Sequence, residues 1–215
     1  MNPGRPLPPA GADDVPAEFA LLRAYLAEVT DHRRAKGRLY ALPDLLSLVV
    51  LGLMAGCRSL SAIHRFGRCH QDVLPVLGLR WVPSVPTLSR VLAGLDTEAL
   101  RTALLHFSQE LAEQRHVCNA VLAMDGKALR GVHEEGDPLY LLQLFGHHSG
   151  LVLDQVAVGR GRGEVTGAKT WIAAMASQFP GLEVLTADAL YADRDLCAAI
   201  VAQESAYLLK LKKTS

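Results

Sequence analysis

The spacing of apolar residues changes near residue 117, and that change constrains the fold more than any other feature of the chain. Before it, apolar residues recur at helical intervals. Phe19, Leu22, Tyr25, Leu26 and Val29 form one stripe, which predicts an amphipathic helix over 17–29. A basic connector follows, from Arg33 to Arg38, and then a strongly apolar segment over 45–55 introduced by Pro43-Asp44. Ser59 is a candidate cap for a helix over 60–71. Pro83, Ser84 and Pro86 read as a turn before a short helix over 87–95. Asp96 is placed to cap a long helix over 97–115, with Glu98 in its favourable first turn.

After residue 117 the pattern is that of strands. An apolar run over 118–124 ends in Asp125-Gly126, which reads as a strand followed by a turn. Strands are expected over 139–145 and 151–158, with Ser149-Gly150 as the hairpin turn between them. A Gly/Arg loop over 159–163 leads to a helix over 166–179, stopped by Pro180-Gly181. A fourth strand over 182–187, a helix over 194–204 and a fifth strand over 206–211 complete a β-β-β-α-β-α-β order. The expected organisation is a leader over 1–16, a helical domain over 17–116 and an α/β domain over 117–215.

With 215 residues, half of them hydrophobic, the chain can bury a substantial core. Twenty-two basic residues balance twenty-two acidic ones. A dedicated DNA-binding domain is ordinarily basic overall, so contact with nucleic acid has to come from local clusters. Cys57, Cys69, Cys118 and Cys197 form no CxxC pair, which argues against a zinc ribbon or a disulfide scaffold. Cys57, His64, Cys69 and His70 are close in sequence but match no zinc module. The Pro/Gly-rich start lacks the apolar stretch of a secretion signal, and the run over 45–55 is about half what a membrane helix needs. An intracellular, soluble protein is expected, with no membrane partner.

Two of the expected strands end in an aspartate, Met124-Asp125-Gly126 and Ala187-Asp188-Ala189. In α/β sheets ligand groups gather at strand ends. Side by side, two carboxylates repel unless a cation joins them, and hard oxygen donors suit Mg²⁺ or Mn²⁺. That chemistry serves phosphodiester cleavage. A single Asp-Gly after a strand is more often only a turn; two matched strand ends make the metal reading stronger. Lys127 and Arg130 follow the first aspartate, and Arg160 and Arg162 lie between glycines, where either pair could meet phosphates or be simply solvated. The segment 60–95 has helix-turn-helix character, with Thr87 and Arg90 early in its second helix, although a plain helical bundle fits as well. His147-His148 falls at a hairpin turn and reads as exposed.

The segment Ala123-Met124-Asp125-Gly126-Lys127-Ala128-Leu129-Arg130-Gly131 resembles the DGKxLRG motif of the ISAs-type, H-repeat-associated insertion-sequence transposases. The resemblance continues through residues 150–158, Glu164-Val165-Thr166, Thr186-Ala187-Asp188-Ala189 and 207–212. In the helical half it runs through Gly37-Arg38, 63–67, 83–90 and Leu95-Asp96. It implies a DDE-class transposase with a ribonuclease H-like catalytic fold, here an incomplete one, behind a helical transposase-associated domain. It further implies Mg²⁺ or Mn²⁺ as cofactor, double-stranded element ends and target DNA as partners, a homo-oligomer as an option, and a bacterial cytoplasmic setting at the nucleoid. Asp125 and Asp188 would be the first two acidic residues. The third, a Glu, lies in relatives beyond the fifth strand, and Lys213-Thr214-Ser215 stands where they tend to read Gly-Asn-Gln. Glu164 occupies an Asn-Glu position of the family, with Gly163 in place of Asn, and is a candidate for touching DNA but not for the third ligand. The expectation is therefore a truncated, catalytically incomplete copy; the alternative is a non-catalytic DNA-binding or interaction remnant.

Overall fold

The computed structural model describes residues 16–134, 137–158, 169–172 and 178–210. The chain divides into two compact units, Met1–Phe107 and Ser108–Ser215. The division falls inside a helix, ahead of the change in apolar period at residue 117.

The first unit is helical. It holds α1 (Ala17–Leu26), α2 (Leu42–Met54), α3 (Leu60–Cys69), α4 (Val73–Val76), α5 (Val85–Ala93) and the start of α6 (Thr97–Gln114). Leu26 of α1, Leu45 and Leu48 of α2, Ile63 of α3 and Leu88 of α5 are all buried in one cluster. Each of these helices thus lends one apolar stripe to a shared core. The caps are local and polar. Ser59 Oγ accepts from the Ala62 amide at 3.2 Å, and Asp96 Oδ1 accepts from the Glu98 and Ala99 amides, each at 3.0 Å. Pro86 sits in the first turn of α5 and not in a preceding turn. A proline is tolerated there because the first amides of a helix have no intrahelical acceptor.

One charged pair is built into this core. Asp44 of α2 is buried, and Arg23 of α1 donates from both Nε and Nη2 to its Oδ1. Gly78, in the turn after α4, adopts φ +79°, and a Cβ there would lie 2.7 Å from Asp44 Oδ2. Only glycine meets both demands, a left-handed backbone and no volume beside the carboxylate. At the connector, Arg33 donates Nε and Nη2 to the two oxygens of Asp31 at 2.9 and 2.8 Å. These bonds hold the Asp31 carboxyl below its usual range, against the opposing effect of burial.

The second unit contains β1 (Val121–Glu134), β2 (Asp137–Gly146), β3 (Val152–Val158), β4 (Val184–Ala187) and β5 (Ala206–Leu209), with α7 (Arg194–Val201) between the last two. Residues 169–172 are helical. The strands form one mixed five-stranded sheet, in the order β3-β2-β1-β4-β5. β1 is antiparallel to β2, and β2 to β3; β4 is parallel to β1, and β5 to β4. The fold is mixed α+β. Leu122, Met124, Leu142, Leu144 and Leu185 are buried, and register pairs Met124 with Leu144 and Leu122 with Leu185, so they share one face. Gly150 at φ +67° closes the β2–β3 hairpin, where the Gly150 amide donates to the Gly146 carbonyl at 3.0 Å.

The turn expected at Asp125-Gly126 does not form. β1 runs straight through it, pairing Asp125 with Gln143, Gly126 with Leu142 and Lys127 with Leu141. The long partner strand β2 satisfies this backbone, so cross-strand bonding overrides the local turn preference of Asp-Gly.

Two outcomes follow. Gly78→Ala should lower the unfolding free energy of the helical unit by at least about 1 kcal/mol, measured by urea denaturation followed by circular dichroism. Because the folded Asp31 carboxyl is lowered, its contribution is present above the unfolded value of about 3.9 and is lost as pH falls through the folded value. Asp31→Asn should remove that component of acid destabilisation, read from denaturation curves collected between neutral and acid pH.

Candidate functional site

The site candidates fall at the point where β1 loses one of its two neighbours. The last β1–β4 pair is Met124 with Ala187. Asp125 and Asp188 are therefore the next residues on two adjacent parallel strands. By strand alternation both follow buried-face residues and belong to the opposite face. Both are exposed. Asp188 has an extended backbone and starts a short 3-10 turn, Ala189–Tyr191, its Oδ1 accepting from the Ala189 amide at 2.7 Å. On the far side, the Lys210 amide donates to the Ala187 carbonyl at 3.2 Å, which brings Lys210 level with Asp188.

The pair has the donor chemistry of a divalent-cation site, two hard carboxylates, one on β1 and one just past the end of β4. As a ligand set it is incomplete. Among the described residues, no group of three His, Cys, Asp or Glu could hold a metal ion. Asp193 and Asp195, at the start of α7, are engaged elsewhere. Lys169 Nζ lies 3.0 Å from Asp193 Oδ1 and 2.8 Å from Asp195 Oδ2. Asp193 also caps α7, accepting from the Asp195 and Leu196 amides. The hydrogen bond that Lys169 donates to Asp193 holds that carboxyl below its usual range, and the bonds it donates to Asp195 and then Asp193 raise Lys169 itself.

Lys127 is exposed two residues beyond Asp125, and Arg130 lies further along the same strand. Arg160, Arg162 and Glu164 lie outside the described residues. In the helical unit, Thr87 and Arg90 of α5 line a cleft of about 420 Å³ with Arg33, Lys36 and Tyr40. Thr87 Oγ1 shares a 2.9 Å hydrogen bond with Ser84 Oγ, and Arg90 Nε donates to the Pro86 carbonyl at 3.2 Å. The cleft thus joins the basic connector to α5, two segments that sequence reading kept separate. His147 is exposed, its Nε2 lying 3.0 Å from Thr186 Oγ1.

Sequence reading passed over one buried polar pair beneath the sheet. Asp154 of β3 is buried, and Trp171 Nε1 donates to its Oδ2 at 2.7 Å. The Asp154 Oδ1 accepts from the Gln155 amide at 2.8 Å. An aspartate inside a strand of valines and a lone tryptophan in a helix carry no spacing signal that links them.

Residues 23–108 match the family described as DDE_Tnp_1-associated. Over 193 residues the chain is 25% identical to "Putative transposase YncI" of Escherichia coli O157:H7, covering 87% of this chain and 48% of that protein. Over 202 residues it is 22% identical to "H repeat-associated putative transposase YhhI" of Escherichia coli K12, covering 92% and 52%. The chain is thus similar to proteins described as putative transposases, one of them H repeat-associated. It spans about half the length of these two relatives. Among solved structures, the piggyBac transposase in a synaptic complex with hairpin DNA aligns with TM-score 0.42 and 12% identity, over 92% of this chain and 51% of that one.

Trp171→Phe keeps an aromatic ring but removes the Nε1 donor to Asp154 Oδ2. It should cost about 1–3 kcal/mol, the penalty of a buried acceptor left short of a partner. Urea denaturation followed by far-ultraviolet circular dichroism measures it; an unchanged midpoint and slope would mean the bond contributes nothing.

Proposed function

We propose that this chain belongs to the DNA-transposition machinery of an insertion element, with a ribonuclease H-like core in which Asp125 and Asp188 are two acidic ligands of a DDE-class site. The observation that carries this reading is register. Met124 pairs with Ala187, so the two aspartates leave adjacent parallel strands side by side. Three antiparallel strands followed by two parallel ones, in the order β3-β2-β1-β4-β5, support the same reading. So does the relationship to H repeat-associated transposases.

In this reading Asp125 and Asp188 would hold Mg²⁺ or Mn²⁺, which supplies charge stabilisation at the phosphodiester and lowers the pKa of a bound water. The chain's own residues position the substrate. β1 and β4 fix the two carboxylates on a hydrogen-bonded frame. Lys127 and Arg130 on β1, with Arg160 and Arg162 in the Gly/Arg segment and Glu164 after it, are proposed to contact the DNA near the scissile bond. Thr87 and Arg90, with Arg33 and Lys36 of the same cleft, are proposed to contact the phosphate backbone of duplex element ends. The setting is the bacterial cytoplasm, and a homo-oligomer would bring two element ends together.

A second reading has its own support: the described residues offer no third ligand to the aspartate pair. On that ground the 215-residue chain binds DNA without cutting it. The expected results are weak Mn²⁺ binding, lowered about tenfold or more in Asp125→Ala and Asp188→Ala, and no cleavage or strand transfer on labelled element-end duplex. Free Mn²⁺ measured by electron paramagnetic resonance and gel analysis of the duplex provide the readouts. Mn²⁺ binding indifferent to both substitutions would remove the metal site. Efficient cleavage lost in Asp125→Ala would instead show that the chain is a complete nuclease.

A further inference from the structure

The arginines of the helical unit fall into two electrostatic classes. Arg23 pairs with Asp44, Arg33 and Arg38 with Asp31, and Arg101 with Glu98. Arg65, Arg68 and Arg80 have no such carboxylate among the described residues. The unmatched charge is concentrated in one stretch. Between Leu45 and Leu95 the chain carries five arginines, no lysine and a single acid, Asp72, although the whole chain is balanced.

Two of these arginines, Arg68 and Arg80, line a concavity. α3 and the segment around residues 71–82 enclose a cleft of about 670 Å³, lined by His64, Arg68, Gln71, Leu79, Arg80 and Trp81 among others. His64 Nδ1 lies 2.9 Å from the Pro83 carbonyl and ties α3 to the far wall. Trp81 is 62% exposed, and the Arg80 guanidinium lies 5.5 Å from the centre of its ring. Tryptophan is rarely left so open in a folded unit. An open indole beside arginines free of carboxylates offers a stacking surface next to phosphate ligands, the combination that binds nucleic acid through unpaired bases.

We infer that this cleft binds a DNA strand carrying unpaired bases, one base stacking on Trp81 while Arg68 and Arg80 hold its flanking phosphates. The inference rests on the reading of the chain as a DNA-binding protein and deepens it. Base pairs within a duplex are stacked on one another and leave no face for the indole. The cleft therefore selects single strands and overhangs, a task separate from the backbone contacts proposed for Thr87 and Arg90.

The test uses the full 215-residue chain with three labelled DNAs: a thymine single strand, a blunt duplex, and the same duplex with a thymine overhang. Binding is followed by anisotropy and by tryptophan fluorescence, in which buried Trp171 is a constant background and Trp81 the reporter. The single strand and the overhang should quench the emission and the blunt duplex should not. Trp81→Ala should weaken binding of the overhang and single strand by about five- to 150-fold, the range for one stacked base, while blunt-duplex affinity stays unchanged. Trp81→Phe should recover most of the loss, which a folding defect would not allow. Arg68→Ala and Arg80→Ala should weaken strand binding and flatten its salt dependence. If wild type binds duplex but Trp81→Ala binds the overhang as wild type does, this cleft is not the strand site and the proposal falls alone. If wild type binds none of the three DNAs, the DNA-binding reading falls with it. Concentration-dependent self-association that buries Trp81 would also overturn it, making the cleft an interface between copies.

Discussion

Strand β1 is hydrogen-bonded on both edges as far as Met124 and on one edge beyond it, and the second unit is organised around that asymmetry. Where both neighbours are present, alternate residues of β1 are buried and the strand belongs to the core. Where β4 stops, β1 continues against β2 alone, and Asp125 and Lys127 are exposed. Asp125 sits at that step, and Asp188 sits where β4 gives way to a 3-10 turn. Both residues come directly after the last pair of the parallel β1–β4 ladder.

Most of the element pattern was legible in the sequence because local physics dictated it. Ser59 and Asp96 cap helices through side chains that can do little else at those positions, and the apolar stripe of α1 can be satisfied only by burial. Gly150 marks its hairpin through a backbone that other residues avoid. The turn placed at Asp125-Gly126 failed for the opposite reason. Its preference is local, and the partner that overrides it arrives from residues 141–143. The adjacency of Asp125 and Asp188 could be stated only conditionally from sequence, since strand order is a long-range property. The Asp154–Trp171 bond and the clamp of Lys169 on Asp193 and Asp195 were invisible for the same reason. Each joins residues whose separation has no period.

The helical unit uses arginine in two ways. At Asp44 and Asp31 the guanidinium is a structural partner, and the carboxylate it meets is partly or fully withdrawn from water. Around α3 the same side chain is left facing solvent beside an exposed tryptophan. Composition alone cannot separate these cases, because the net charge counts them equally. What distinguishes them is whether an acid lies within reach, and that is settled by packing.

The parallel pairing of β1 with β4 also orders events in time. β1, β2 and β3 are joined by hairpin connections and can zip together from nearby residues. Val121 reaches its partner Val184 only across about 60 intervening residues, a closure that costs more entropy and comes later. The neighbourhood of Asp125 and Asp188 therefore depends on a long-range pairing, whereas β1, β2 and β3 pair with near neighbours in sequence. Any change that loosens the β1–β4 pairing would separate the two aspartates without touching either of them.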